Sequence, residues 1–247
     1  MNPIAFTQAC KKIIGMERTQ NGIGTLSEKT LHAVLKCYFE PNEAHHEMPM
    51  GSFVADIVRE DGIIEIQTQS FNKLRKKLEA FLAVSSVTVV YPVPHIKWLL
   101  WLNPDTGEIT RKRKSPKTGT PQEIFYELYK IKPLLPHPNL HLCIMLIDME
   151  EIRYLDGWSE DKKKGSSRCD RIPIALYDEI YIASLPDYQK LMPQTLADHF
   201  ISKDFQKATK LSLHRAQTAL NVLYAVEAVR RVGKQGNAYL YEKNISC

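Results

Sequence analysis

The stretch that decides the reading is DIVREDGIIEIQT, Asp56 to Thr68. Its apolar runs flank Asp61-Gly62, a strong signal for a two-residue hairpin loop. Asp56, Glu65 and Gln67 stand inside those runs. With Asp61-Gly62 as the loop, Glu60 pairs with Ile63, Val58 opposes Glu65 and Asp56 opposes Gln67. Side chains alternate between the two faces of a strand. Asp56, Val58, Glu65 and Gln67 therefore share one face, and Ile57, Ile64 and Ile66 share the other. Asp56 and Glu65 become diagonal neighbours, about 7–8 Å apart, close enough for both carboxylates to close on one ion. Mg²⁺ takes oxygen ligands, commonly one or two carboxylates with waters and phosphate oxygens. Such an ion polarises a phosphoryl oxygen and helps create hydroxide from bound water. Gln67 is placed to orient that water or hold a phosphate oxygen. The alternative is plain solvation, because a half-exposed hairpin always has a polar face.

Around the hairpin the elements alternate. TLSEKTLHAVLKCYF opens a helix, with Thr25 and Glu28 spaced as a capping box and Leu31, Val34, Leu35 and Tyr38 in an apolar stripe. HHEMPMGSFVADIV and GIIEIQT read as strands. SFNKLRKKLEAFL reads as a helix with Phe71, Leu74, Leu78, Phe81 and Leu82 inward and Lys73, Arg75, Lys76 and Lys77 among the rest. SVTVVYPV and IKWLLWLN read as two further strands. A helix is expected from Gln122 to Lys130. LHLCIMLIDMEEIRYL reads as a long strand or a hairpin, and IPIALYDEIYI as another apolar stretch.

This order resembles the PD-(D/E)XK nuclease superfamily over roughly residues 25–105. The resemblance implies an α/β domain with a mixed sheet flanked by helices, a restriction-endonuclease-like core. It implies that Asp56 and Glu65 bind Mg²⁺ (or Mn²⁺), with Glu28 as the carboxylate from the first helix. Gln67 takes the place of the family's lysine, replacing an ammonium by an amide dipole. No proline precedes Asp56; Val54 and Ala55 stand there.

The C-terminal segment reads as helix, turn, helix and hairpin. Ser202 caps the first helix and Ser212 the second, with Ala216, Leu220 and Leu223 inward. VRRVGKQGNAYLYEK forms a hairpin with a basic, glycine-containing tip. This order resembles the winged-helix family, whose second helix typically lies in the DNA major groove. The resemblance places Arg215, Gln217, Thr218 and Asn221 toward bases, and Arg230, Arg231 and Lys234 near phosphates. The alternative is a module that contacts protein. Of the chain's 33 basic and 28 acidic residues, eight and four lie from Leu191 onward, leaving 25 and 24 for residues 1–190. The basic excess thus belongs to this module, which favours DNA.

The remaining signals exclude more than they assign. Five dispersed cysteines argue against a disulfide scaffold or a zinc ribbon. No apolar run approaches the roughly 18–20 residues of a membrane span, and the N-terminus lacks a signal-peptide core, so a cytoplasmic protein without a membrane partner is expected. The histidines of HHE (45–47) read as core or surface residues, and those of HPNLH (137–141) as loop residues. The basic loops RKRKSPKTG (111–119) and KKKGSSR (162–168) suit a phosphate backbone or solvent. The expectation is a nuclease-like domain over 1–185 and a winged helix-turn-helix domain over 186–247. Together they form a metal-dependent endonuclease acting on double-stranded DNA. The alternative is a catalytically inactive DNA-binding regulator on the same fold. A homodimer is compatible with either.

Overall fold

The structure, a computed structural model, describes residues 1–20, 29–68, 70–157 and 167–244. The chain divides into two compact units. One comprises Met1–Met48, Pro92–Gly119 and Met145–Glu179; the other comprises Pro49–Tyr91, Thr120–Ile144 and Ile180–Cys247. The C-terminal segment from residue 186 thus belongs to the same unit as the Asp56–Thr68 hairpin. No described helix is long and apolar enough to cross a membrane.

Helix α1 spans Pro3–Gln20 and α2 spans Thr30–Phe39. Asn2 caps α1 by accepting from the Ala5 N–H at 3.0 Å. Phe6, Ala9 and Cys10 form its buried stripe, and Leu31, Val34 and Leu35 form that of α2. The expected start of α2 near Thr25 is corrected: Lys29 is extended and helix begins at Thr30. Thr25 and Glu28, with the capping box they would form, lie outside the described residues.

Strands β1 (His46–Met50), β2 (Phe53–Arg59) and β3 (Gly62–Ile66) follow. Helix α3 (Phe71–Leu82) then leads into β4 (Val87–Leu102). Beyond it lie β5 (Arg113–Lys114), the short α4 (Phe125–Leu128), β6 (Leu140–Tyr154) and β7 (Arg168–Ile182). The main sheet is mixed, ordered β1-β2-β3-β4-β6-β7 with β5 paired to β4. Pro49 sits in β1 at an edge, where its missing N–H costs least. β2 and β3 are antiparallel, whereas β3 and β4 are parallel. A parallel pair needs a crossover, and α3 supplies it. All five apolar positions expected on its inner face are buried: Phe71, Leu74, Leu78, Phe81 and Leu82.

Two expectations differ here. The segment 87–102 is one strand, not two. Pro92 and Pro94 keep the chain extended, because proline's fixed φ lies in the β/PPII range and only ladder donors are lost. The helix expected over 122–130 is a 3₁₀ turn (Pro121–Ile124), then α4, then a second 3₁₀ segment (Tyr129–Leu134). Glu127 on α4 explains how α3 begins with Ser70 in the left-handed region and no local cap. Its Oε2 accepts the Phe71 N–H at 2.8 Å while Lys130 pairs with Oε1 at 2.8 Å.

The C-terminal segment contains β8 (His199–Phe200), α5 (Ser202–Thr209), α6 (Leu213–Ala225), β9 (Val229–Gln235) and β10 (Ala238–Lys243). Ile201, not Ser202, is the residue before α5, with its N–H held by Asp204 Oδ2 at 2.9 Å. Ser212 caps α6 as expected, accepting from the Arg215 N–H at 3.4 Å. Ala216, Leu220 and Leu223 are buried. The hairpin turns at Gly236-Asn237, between paired Gln235 and Ala238, and β8 adds a third strand to it.

Candidate functional site

The hairpin register corrects the one read from Asp61-Gly62. Arg59 pairs with Gly62, Val58 with Ile63 and Ile57 with Ile64, so the turn is Glu60-Asp61. One more step sets Asp56 directly opposite Glu65 instead of Gln67. The shift is an even number of positions, so the faces stay as expected and the two carboxylates come closer. Gly62 fails as a turn residue because it is needed in the strand. Its φ is 142°, and a Cβ there would stand 2.7 Å from the Ser86 carbonyl oxygen, which accepts the Ile63 N–H at 2.8 Å. Gly62→Ala is expected to cost about 2–4 kcal/mol of unfolding free energy, read from urea melts, through forced φ and displaced backbone.

Each carboxylate accepts a backbone N–H of the facing strand. The Asp56 N–H donates to Glu65 Oε1 at 3.2 Å, and the Ile66 N–H donates to Asp56 Oδ2 at 2.7 Å. Glu65 is only 2% exposed and neighbouring Ile63 is buried, so this part of the face is covered, not solvated. Asp56 and Gln67 are half-buried. The Gln67 N–H donates to the Val90 carbonyl at 2.9 Å, continuing the β3–β4 pairing beyond Ile66.

Sequence reading did not single out Lys77. Its ammonium lies 2.6 Å from Glu65 Oε2 and 5.6 Å from the centre of the Phe81 ring. The signal was its place one helical turn before inward-facing Phe81, at the border of the apolar stripe. Burial, then the Asp56 charge, push the Glu65 carboxyl up to about 7, against the pull of Lys77. Folding therefore favours protonated Glu65. Its stabilising effect is complete below the ordinary pKa of 4.5 and is lost as pH rises through about 7. Glu65→Gln, which cannot ionise, is expected to gain on the order of 3 kcal/mol relative to wild type between pH 5 and 8 in metal-free urea melts.

This hairpin offers two carboxylates to a hard cation. Among the described residues no group of three or more His, Cys, Asp or Glu side chains is arranged to hold a metal. The pair still fits the one-or-two-carboxylate mode of Mg²⁺, where water and substrate fill the remaining positions. Asp56 raises the Glu65 pKa by charge repulsion, which a cation bound between them would relieve. Glu28 lies outside the described residues.

The expected DNA-facing residues are divided. Arg215 and Gln217 are exposed on α6. The Arg215 guanidinium lies 5.5 Å from the Tyr126 ring centre, and Asn221 Oδ1 accepts from Lys132 Nζ at 2.8 Å. Thr218 Oγ1 donates back to the His214 carbonyl at 3.0 Å. Arg215 and Asn221 are thus engaged by the 126–132 segment. On the hairpin, Arg230 pairs with Glu242 at 2.7 Å, and Lys234 Nζ lies 5.6 Å from the Tyr239 ring centre. Arg231 is caged between Tyr224 and Tyr239, at 4.3 and 4.1 Å.

The unit containing Pro92–Gly119 carries polar chemistry that the sequence reading left unassigned. His95 Nδ1 lies 2.8 Å from Asp148 Oδ1, and the imidazole stacks on Tyr177 at 3.6 Å. Glu151, 2% exposed, meets Lys97 at 3.2 Å, Arg153 at 2.7 Å and Arg168 at 3.6 Å. Burial pushes its carboxyl up, but these three cations outweigh it and hold the pKa below the usual value. The histidines at 45, 46, 137 and 141 make local contacts: His45 with Glu40, His46 with the Glu40 carbonyl, His137 with the Asn139 N–H, and His141 with the Pro138 carbonyl.

Residues 29–183 match the family model described as "Domain of unknown function (DUF8091)", more than half of the chain. The chain belongs to the DUF8091 family. The DUF8091 match contains Asp56, Glu65, Gln67 and Lys77 and ends before α5. A protein of Treponema pallidum (strain Nichols), described as uncharacterized, is 32% identical over 228 residues. That similarity covers 90% of this chain and 87% of the relative, so it extends beyond the DUF8091 region. No solved structure matches.

Proposed function

We propose that the chain is a metal-dependent endonuclease of the PD-(D/E)XK type, delivered to duplex DNA by a C-terminal winged helix. The carrying observation is the opposed Asp56–Glu65 pair with Lys77 2.6 Å from Glu65. The order α2, β1, β2, β3, α3, β4, with an antiparallel β2–β3 pair and a parallel β3–β4 pair, supports a restriction-endonuclease-like core. The order α5, α6, β9, β10, with β8 completing a small sheet, supports the winged helix.

Asp56 and Glu65 would hold Mg²⁺ or Mn²⁺. When bound, such an ion supplies Lewis-acid polarisation of a phosphoryl oxygen and a lowered pKa for bound water. The chain's own groups carry the rest. Lys77 supplies the ammonium that Gln67 lacks, from a helix instead of the strand. It neutralises negative charge developing on the phosphoryl oxygens. Gln67 orients the attacking water. Glu65, its carboxyl pushed up to about 7 by burial and the Asp56 charge, would be one of the two carboxylates holding the ion.

The test is cleavage of supercoiled, linear and single-stranded DNA by wild type and by Asp56→Ala/Glu65→Ala, each with Mg²⁺, Mn²⁺ or EDTA. Metal-dependent cutting by wild type, lost in the double variant, is expected. A second reading, the inactive DNA-binding regulator, is favoured by the Lys77–Glu65 ion pair, in which an ammonium already supplies the counter-charge of a cation. Duplex binding without cleavage by folded wild type selects it. In both readings duplex affinity falls with salt, with a log–log slope of about −0.9 per phosphate neutralised.

A further inference from the structure

The second unit holds a pocket that the proposed cleavage chemistry does not use. It lies between α6 and the β9–β10 hairpin, with a volume of about 560 Å³. Lys203, Gln217, Asn221, Arg231, Tyr239 and Tyr241 are among its walls, and no Asp or Glu is. A pocket of roughly 300–1,000 Å³ is the usual size for a small organic ligand.

Arg231 gives the pocket its chemistry. Tyr224 and Tyr239 ring centres lie 4.3 and 4.1 Å from its guanidinium carbon, and Tyr241 lies at 5.9 Å. The cation is packed against aromatic rings and has no carboxylate partner among the described residues. Its Nε is buried and has no hydrogen-bond acceptor. Leaving such a donor unmet is costly, and a native structure rarely does so without reason. A guanidinium flanked by rings retains its in-plane N–H fork, the geometry that matches a phosphate. Beside it, Tyr239 is 46% exposed and presents a ring on which a base can stack. The amide of Gln217 is placed to read a base edge.

We infer that this pocket takes one nucleotide unit, its phosphate on Arg231 and Lys203 and its base against Tyr239. The unit comes either from an unstacked position in a DNA strand or from a free nucleotide. The strand source rests on the proposed nucleic-acid role of this module; the free-nucleotide source stands without it.

The test is equilibrium binding to the full chain in EDTA, which silences metal-dependent cutting. The probes are GMP, AMP, guanosine, inorganic phosphate, a matched duplex, and the same duplex with one unpaired base. Either nucleotide monophosphate, or the duplex with an unpaired base over the matched one, is expected to bind about tenfold more tightly than its control. Arg231→Lys is expected to weaken the preferred probe about tenfold, because an ammonium lacks the planar fork. Preference for the mononucleotide identifies a free ligand; preference for the unpaired base identifies the strand. No preference in either set, or an unchanged affinity in Arg231→Lys, overturns the proposal. If Arg231→Lys does not fold by circular dichroism, Lys203→Met and Tyr239→Leu, at exposed positions, carry the same expectation. Nucleotide binding that survives while wild type fails to cut DNA separates this site from the carboxylate pair.

Discussion

Lys77→Met is expected to lower the proposed metal-dependent DNA cleavage by about a thousandfold while leaving duplex affinity nearly unchanged. The size follows from what a positioned charge is worth when it meets negative charge that develops only in the transition state. Methionine keeps the length and the contact with Phe81 but removes the ammonium 2.6 Å from Glu65. The loss should therefore appear in kcat more than in KM. A second consequence separates this role from a structural one. Without Lys77, burial and the Asp56 charge are opposed only by the Asp56 N–H, so the Glu65 pKa rises further above about 7. The acid limb of the pH–rate profile, where Glu65 must ionise, then moves to higher pH. Lys77→Arg keeps the charge, and partial activity is expected from it. Wild-type cleavage rates in Lys77→Met would remove Lys77 from the mechanism and return the burden to Gln67.

The second large effect concerns stability. Glu151→Gln is expected to cost about 3–5 kcal/mol, a large share of a typical domain's total. Lys97, Arg153 and Arg168 converge on this buried carboxylate, and an amide leaves three cations crowded around a neutral group. The pH dependence carries the opposite sign to that of Glu65. Because the folded-state pKa of Glu151 lies below the ordinary 4.5, its stabilisation is present above that value. It is lost as pH falls through the depressed pKa. Urea melts of wild type and Glu151→Gln should differ most near neutrality and converge in acid. An unchanged gap at low pH would mean that packing around residue 151, not its charge, sets the cost.

Local patterns that depend on neighbours in sequence were legible. The apolar stripe of α3, the Ser212 cap and a glycine-containing hairpin turn follow from spacing and turn chemistry, whereas the basic Lys234 lies in β9 and not at the tip. The shared face of Asp56 and Glu65 was legible because strand parity survives a register shift of two. What was missed depends on groups distant in sequence. Gly62 belongs to the strand because of Ser86, and α3 starts where Glu127 meets the Phe71 N–H. Lys77 reaches Glu65 across the β3–α3 connection. The Arg231 cage needs rings from α6 and β10 together. None of these pairings leaves a short motif. The same holds for His95 with Asp148 and for the cations on Glu151, which are brought together only when β4, β6 and β7 are laid out.

The two-residue turn at Glu60-Asp61 also sets a rule for how this segment can drift over time. It fixes the nine-residue interval between Asp56 and Glu65, and the alternation of strand side chains makes that interval count in whole steps of two. Substitutions at Val58, Arg59, Glu60 or Asp61 alter chemistry without moving either carboxylate. A single residue inserted or deleted within β2 or β3 between them does the reverse, keeping the neighbouring chemistry and sending one carboxylate to the apolar side. For keeping the two carboxylates on one face, the length of this hairpin matters more than the identity of its residues.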